Sequence, residues 1–143
     1  MQEVIELNAF DAEAIDDIVN MVNRQNIEVG WRDNQVKIME VLELYAPELI
    51  PITENYIIGT MIALIHSEIS EALEAQRKNL MDDHLPNRKG IAAELADAVI
   101  RICDLAGQQN IPLGEVLVEK FMYNKNRADH KRENRQKEGG KKF

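Results

Sequence analysis

The sequence predicts an all-α protein, and three observations support this fold class. Apolar residues recur at intervals of three and four along most of the chain, which is the spacing of one helix face. Aromatic residues make up only 5%, and four prolines and seven glycines are few for 143 residues. This composition argues against a β-sandwich and against a disordered chain. The length predicts one domain, spanning residues 1–143, that is large enough to bury a core.

The apolar pattern predicts five helices, each bounded by residues that start or stop a helix. They cover about residues 11–27, 33–46, 53–78, 90–108 and 113–130. Asp11, Asp33 and Thr53 are the expected N-caps of the first three, since their side-chain oxygens can accept hydrogen bonds from first-turn N–H groups. Gly30 and Pro47 are expected to end the first two helices.

Polar segments that favour turns separate the last two predicted helices from the rest. The stretch NLMDDHLPNRK predicts a loop, Gly90 precedes the fourth helix, and Asn110 with Pro112 predicts the turn before the fifth. We expect a four-helix-bundle-like core over about 53–128, preceded by an N-terminal helical extension and followed by a basic tail, 129–143. Helices three and four are expected to pack antiparallel.

The charges are unevenly distributed and exclude some function classes. The chain has 17 Lys+Arg and 25 Asp+Glu, a net charge of -8, but residues 120–143 carry +6 and residues 1–119 carry -14. An acidic body does not favour binding to duplex nucleic acid. The basic tail either binds phosphate or is a solvated chain end. The single cysteine excludes a disulfide framework and a four-thiolate zinc site.

Two further observations concern the compartment. The longest stretch without a formal charge, 55–67, has 13 residues and is too short to span a membrane. The N-terminal sequence MQEVIELNAFDAEAIDD lacks the basic-then-apolar pattern of a secretion signal. We therefore expect a cytoplasmic protein that does not act in a membrane.

Two carboxylates occupy apolar positions of the third predicted helix. The stripe Ile57, Met61, Leu64 continues at the same spacing into Glu68 and Glu71. Residues three apart point the same way on a helix, so both carboxylates can share one target.

The fourth predicted helix carries a second acidic pair beside its apolar seam. The seam consists of Ile91, Leu95, Ala98, Ile102 and Leu105, and one position before four of these lie Glu94, Asp97, Arg101 and Asp104. Antiparallel packing would gather Glu68, Glu71, Glu94 and Asp97. Facing carboxylates need cations, and an all-oxygen site favours Mg²⁺ or Mn²⁺ over zinc or copper. The alternative is an ordinary helix pair whose boundary glutamates pair with Arg101 or are solvated.

The fifth predicted helix offers groups that can hold an anion. Lys120, Asn124 and Arg127 follow Leu113 and Leu117 on one face, so two cations and an amide could bind anionic oxygens. The alternative is a solvated basic helix end. Trp31, the only tryptophan, is either an anchor between helices or a stacking partner for a ring.

Together these residues resemble a known family. The string LIHSEISEALEAQRK, a loop and then GIAAELADAVIRICDLAG resemble the signature of MazG-like all-α nucleoside triphosphate pyrophosphohydrolases. That signature is Glu-x-x-Glu on one helix and Glu-x-x-Asp on the next. The resemblance extends through EVGWRD upstream and EKFMYNKNR downstream, over roughly 28–128.

The resemblance implies an enzyme and its ligands. It implies that Glu68, Glu71, Glu94 and Asp97 bind Mg²⁺, that Lys120 and Asn124 help to hold a triphosphate, and that the protein is a homodimer or homotetramer. The expected reaction converts a nucleoside triphosphate to the monophosphate and pyrophosphate, in nucleotide-pool control. Relatives differ in substrate, and some act in the histidine pathway. Glu71 is our choice of proton acceptor.

Three other classes compete with this hypothesis. A ferritin-like di-iron protein needs Glu-x-x-His pairs, and no Glu here has His at i+3. A non-catalytic helical interaction module would leave the four acids without a role. A nucleic-acid binder acting through the basic tail is disfavoured by the acidic body and the scarcity of aromatic residues.

Overall fold

The computed structural model describes residues 6–140, and within them the chain is helical. The helices are α1 (Ala9–Glu28), α2 (Asp33–Tyr45), α3 (Ile50–Lys78), α4 (Gly90–Gln108), α5 (Leu113–Asn126) and α6 (Arg132–Arg135), with single 3-10 turns at Pro47–Leu49 and Ala128–His130. The only strand-like pairing in the described residues is an isolated bridge between Met81 and Lys89. The all-α prediction is confirmed.

The starts of α1 and α3 differ from the predicted ones. Asn8, and not Asp11, caps α1, because its Oδ1 accepts the Phe10 N–H at 2.8 Å. Asp11 returns the bond by accepting the Asn8 N–H, also at 2.8 Å, which is a reciprocal capping box. The third helix begins at Ile50 rather than at Thr53, since Pro51 suits a first turn that needs no N–H donor.

Helices α3 and α4 form an antiparallel hairpin with a narrow seam of small side chains. The buried residues of the two helices are Glu68, Ala72, Ala75, Gly90, Ala98, Cys103 and Ala106. A Cβ at Gly90 would lie only 2.9 Å from the Ala75 Cβ, so glycine is what permits this close approach where α4 begins. The observed bounds of α4 agree with the predicted helix over 90–108.

Most large apolar residues of the predicted α4 seam remain accessible. Leu95 is 47% exposed and Ile102 is 37% exposed, while Ala98 between them is buried. On α2, the residues Ile38, Val41 and Leu44 are 49%, 56% and 71% exposed. The described chain therefore leaves apolar helix faces uncovered.

One helical segment also meets the length and composition of a membrane span. Pro47–Lys78 contains an 18-residue window that is sufficiently apolar, and none of that window is buried. Length and composition are the only grounds for this reading, and an exposed apolar helix face also suits contact with another protein chain.

The chain divides into two compact units. One contains residues 19–111, and therefore the second half of α1 with α2, α3 and α4. The other joins the N-terminal residues up to Ile18 with the chain from Pro112 onward. In this second unit the Gly114 N–H donates to Asp16 Oδ1 at 2.8 Å, and a Cβ at Gly114 would collide with the Ala12 carbonyl. Whether 1–143 is a single domain stays a prediction.

Helix α5 is shorter than the predicted helix over 113–130. It ends at Asn126, and Arg127 has an extended backbone with φ -65° and ψ 134°. Arg127 therefore leaves the helical face that it was predicted to share with Lys120 and Asn124. The basic tail continues through a 3-10 turn and α6, and its last three residues lie outside the described range.

Candidate functional site

Three of the four predicted carboxylates meet between α3 and α4. Glu68 on α3 and Glu94 and Asp97 on α4 each offer an oxygen, and these oxygens lie within 4.8 Å of one another. The antiparallel hairpin produces this arrangement, since Ala75 lies against Gly90 at one level and Glu68 faces α4 at the next. We call these three residues the acidic cluster. Glu71 is exposed and outside the cluster, although its charge acts on Glu94.

Glu68 is the central member of the acidic cluster. It is the buried charged residue of the described chain, with 6% relative exposure. Its Oε1 accepts a hydrogen bond from Arg101 Nε at 2.6 Å, and the Arg101 side chain is 42% exposed. The pairing with Arg101 that the sequence offered as an alternative thus coexists with the gathered carboxylates. One guanidinium partly neutralises the cluster from its solvent side.

The pKa of the Glu94 carboxyl is raised above its ordinary value. Partial burial is the largest cause, followed by the negative charges of Glu71 and Glu68 and by a hydrogen bond to Glu68. Asp97 adds a smaller repulsion. Burial and the neighbouring carboxylates thus both favour the protonated form of Glu94.

The acidic cluster fits a hard divalent cation. It offers carboxylate oxygens only, with no sulfur or imidazole ligand among its members. Carboxylate oxygens are typical ligands of Mg²⁺ and Mn²⁺, at oxygen–metal distances of roughly 2.0–2.2 Å. Oxygens that lie this close to one another can bind one ion. Glu68, Glu94 and Asp97 would be the residues that hold it.

A cavity of about 510 Å³ lies beside the acidic cluster. Glu68, Asp97 and Arg101 line one part of it, and the remaining lining residues are Asn26, Trp31, Arg32, Gln35, Met61, Leu64, Ile100, Asp104 and Gln108. Trp31 is 77% exposed. Its ring is therefore accessible to a ligand.

The polar wall of the cavity contains two atoms without partners. Arg32 Nε, a donor, and Gln108 Oε1, an acceptor, are buried and make no hydrogen bond within the described chain. Gln108 does donate through Nε2 to Gln35 Oε1 at 3.1 Å. A buried polar atom without a partner is costly, and a ligand that supplies the missing hydrogen bonds would recover that cost.

An ion pair that sequence reasoning missed holds Trp31 near α4. Arg32 donates to the Asp104 carboxylate at 2.6 Å and to the Asp104 carbonyl at 3.2 Å. Asn23 Nδ2 donates to the same carbonyl at 3.3 Å. Asp104 was visible as part of the polar stripe on the fourth helix, but nothing local in the sequence indicated its partner 72 residues away.

The predicted anion-binding residues lie in the unit that contains α5. Lys120 is exposed, and its Nζ lies 4.9 Å from the centroid of the Tyr123 ring. Asn124 has a buried Oδ1 with no hydrogen-bond partner in the described chain. Arg127 forms hydrogen bonds of 2.9 and 2.7 Å with Asp129. These local contacts neither require nor exclude the predicted role in holding a triphosphate.

Comparison with protein-family models, with curated proteins and with solved structures found no match for this chain. The resemblance to MazG-like enzymes therefore stays a prediction. The acidic cluster and the cavity beside it are therefore the observations that bear on function.

Proposed function

We propose that this protein is a Mg²⁺-dependent nucleoside triphosphate pyrophosphohydrolase, which converts a nucleoside triphosphate and water to the monophosphate and pyrophosphate. The observation that carries the proposal is the gathering of Glu68, Glu94 and Asp97 within 4.8 Å. Two of them, Glu68 and Asp97, line a cavity whose wall also contains an accessible tryptophan. Such a site suits a ligand that combines a cation-binding polyphosphate with an aromatic ring.

Charge balance supports this substrate class. A nucleoside triphosphate carries roughly -4 and would not approach an acidic cluster without divalent cations. Bound Mg²⁺ supplies charge neutralisation at the phosphates and lowers the pKa of a coordinated water. Glu68, Glu94 and Asp97 hold the cation, while Lys120 and Arg127 are the proposed partners of the outer phosphates.

The remaining chemistry is assigned to side chains of this chain. Glu71, exposed and near Glu94, accepts the proton of the water that attacks a phosphorus in line, while the bond between the α- and β-phosphates breaks and pyrophosphate and the monophosphate separate. Trp31 stacks on the base, and the polar wall with Arg32 and Gln108 contacts its edge. A ligand that fills the cavity excludes water, and this would strengthen the hydrogen bonds and ion pairs to the charged groups of the ligand.

The exposed apolar faces support assembly into a homodimer or homotetramer. Ile38, Val41 and Leu44 on α2 leave a surface that a second copy of the chain can cover. The same faces are the one observation that favours a second candidate, a non-catalytic helical interaction module. That candidate gives no reason for Glu94 and Asp97 to converge on a buried Glu68.

A nucleotide panel tests the proposed function directly. Purified protein is incubated with the common ribo- and deoxyribonucleoside triphosphates and Mg²⁺, and pyrophosphate and monophosphate are measured. We expect pyrophosphate in a one-to-one ratio with monophosphate, and none from Asp97→Asn. Release of single phosphates instead, or turnover that persists in excess chelator, would contradict the proposal. Absence of turnover with every nucleotide would favour the interaction module.

A further inference from the structure

Among residues 6–140, Arg101 is the cationic side chain that both contacts the acidic cluster and lines the cavity. It donates from Nε to Glu68 Oε1 at 2.6 Å, and it lines the cavity together with Glu68 and Asp97. The other guanidinium in the cavity wall, that of Arg32, is committed to Asp104 through a terminal nitrogen. A ligand that reaches the acidic cluster through the cavity therefore lies next to the Arg101 guanidinium.

The pairing with Glu68 uses only part of the Arg101 guanidinium. A guanidinium has five N–H donors in a rigid planar fork, and one of them is used here. The two terminal nitrogens have no hydrogen-bond partner within residues 6–140, and the side chain is 42% exposed against 8% for Glu68. One edge of the fork is thus anchored at a buried carboxylate, while the rest remains accessible.

We infer that Arg101 binds the phosphate chain of the substrate while its Nε holds Glu68 in place. This inference rests on the proposed function and adds a residue that the resemblance did not supply. Arg101 Nε binds Oε1 of Glu68. A cation bound at the other oxygen would act on the same carboxylate from a second side. A phosphate oxygen held by that cation would lie near the terminal nitrogens, where a charge-assisted pair of hydrogen bonds can form.

The alternative is that Arg101 only neutralises and orients Glu68. Both roles predict a slower enzyme after substitution, so activity alone does not separate them. They differ in binding: if Arg101 only orients Glu68, triphosphate affinity falls in proportion to cation affinity, whereas if Arg101 also binds phosphate, triphosphate affinity falls further than cation affinity.

The test is isothermal titration calorimetry on Arg101→Ala, Arg101→Lys and the parent. Mn²⁺ is titrated alone, and then the α,β-imido analogues of dUTP and dATP are titrated in saturating Mn²⁺, with the matching nucleosides as ligands that lack phosphate. For Arg101→Ala we expect Mn²⁺ affinity equal to or above that of the parent, since a competing cation is removed. The triphosphate analogue should bind roughly ten- to a hundredfold more weakly, and the nucleoside equally well.

Arg101→Lys guards against a folding defect, because Arg101→Ala leaves Glu68 buried without a partner. Lysine keeps a cation at Glu68 but has only one nitrogen, so it cannot hold the carboxylate and form a forked contact to phosphate at once. We expect parent-like Mn²⁺ binding and weakened triphosphate binding. Arg77→Ala is the matched control, since Arg77 lies on the same hairpin in an exposed pair with Glu74, and it should match the parent.

The outcomes separate this inference from the proposed function. If the parent hydrolyses a nucleotide but both Arg101 variants bind the analogue as it does, only this inference is overturned. It is also overturned if both variants lose Mn²⁺ affinity and triphosphate binding falls only in proportion. If the parent binds neither Mn²⁺ nor any analogue, the proposed function and the inference are both wrong.

Discussion

Arg32 and Asp104, which are 72 residues apart in sequence, form an ion pair of 2.6 Å with both side chains largely buried, at 15% and 14% exposure. Arg32 also donates to the Asp104 carbonyl, so the pair joins the turn before α2 to the last turns of α4 by two hydrogen bonds. Trp31 precedes Arg32 in that turn. The position of the accessible ring beside the cavity therefore depends on a contact made far along the chain.

Substitution of Arg32 should lower stability. Arg32→Ala removes two hydrogen bonds to a charged partner and leaves Asp104 largely buried, so we expect a loss of about 1–3 kcal/mol in the free energy of unfolding. Urea denaturation followed by the fluorescence of Trp31, the only tryptophan, measures it. Lys78→Ala, which breaks an exposed pair with Glu74, should change stability by less than about 0.5 kcal/mol. Equal effects of the two variants would contradict this reading.

Substitution of the acidic cluster should abolish cation binding and activity while the fold survives. Glu94→Gln and Asp97→Asn remove ligand oxygens and also relieve repulsion, so the metal-free variants should be as stable as the parent or slightly more stable. Glu71→Gln should retain most Mn²⁺ affinity and lose turnover, because Glu71 is outside the cluster. Calorimetry with Mn²⁺ and the pyrophosphate assay measure the two effects. Full activity of Asp97→Asn would rule out this cluster as the metal site.

The local helices were predictable, whereas the contacts that complete the site were not. The bounds of α4 followed from Gly90 and from the apolar spacing, and the two acidic pairs followed from interruptions of apolar stripes. Arg32 with Asp104 had no signal, because an ion pair between distant segments leaves no mark at either one. Glu71 lies outside the cluster, and this depends on how α3 is rotated about its axis against α4. Residue spacing predicts which residues share a helix face, but it does not determine that rotation.

The raised pKa of Glu94 predicts a pH dependence of stability in the metal-free protein. A carboxyl whose pKa is higher in the folded state binds its proton more tightly there. The contribution of this proton to the free energy of unfolding is therefore fully present below about pH 4.5, and it is lost as the pH rises through the pKa of the folded state. The stability advantage of Glu94→Gln over the parent should therefore grow from acidic to neutral pH. Urea unfolding in chelator between pH 4 and 8 measures it. Saturating Mg²⁺ should reverse the trend, since a bound cation favours the charged carboxylate.

Exposed apolar residues on α2 predict self-association. A monomer has a mass of 16.4 kDa, and we expect light scattering to give at least twice that value at micromolar concentration. Ile38 and Val41 lie three residues apart on one face, so Ile38→Lys with Val41→Lys should shift the protein toward monomer. Glu40→Lys, an exposed position on the same helix, also introduces a lysine and should keep the parent mass. A parent of 16.4 kDa would contradict the proposed assembly.

Lys120 on α5 gives a prediction about catalysis, which rests on the proposed triphosphate substrate. Lys120 is exposed and its contact with Tyr123 is a cation–π approach of 4.9 Å, so its ammonium has donors left for a phosphate oxygen. One such charge-assisted contact is worth about 1.5–3 kcal/mol, and Lys120→Ala should therefore lower kcat/KM by roughly one to two orders of magnitude. Binding of Mn²⁺ alone should be unchanged.

Asn124 and Arg127 should differ from each other for structural reasons. Asn124 has a buried Oδ1 without a partner in the described chain, so Asn124→Ala should leave stability the same or higher. Its Nδ2 is the group that can donate to a phosphate oxygen, so the same substitution should reduce kcat/KM. Arg127 has left the helix and is held by Asp129, so its loss should cost less and depend more on salt. Lys125→Ala is the control on the same helix, because Lys125 lies 3.7 Å from Glu6 and off the Lys120 face. If Lys120→Ala and Lys125→Ala give the same kinetics, α5 has no specific part in binding the triphosphate, and its cations serve only the helix end.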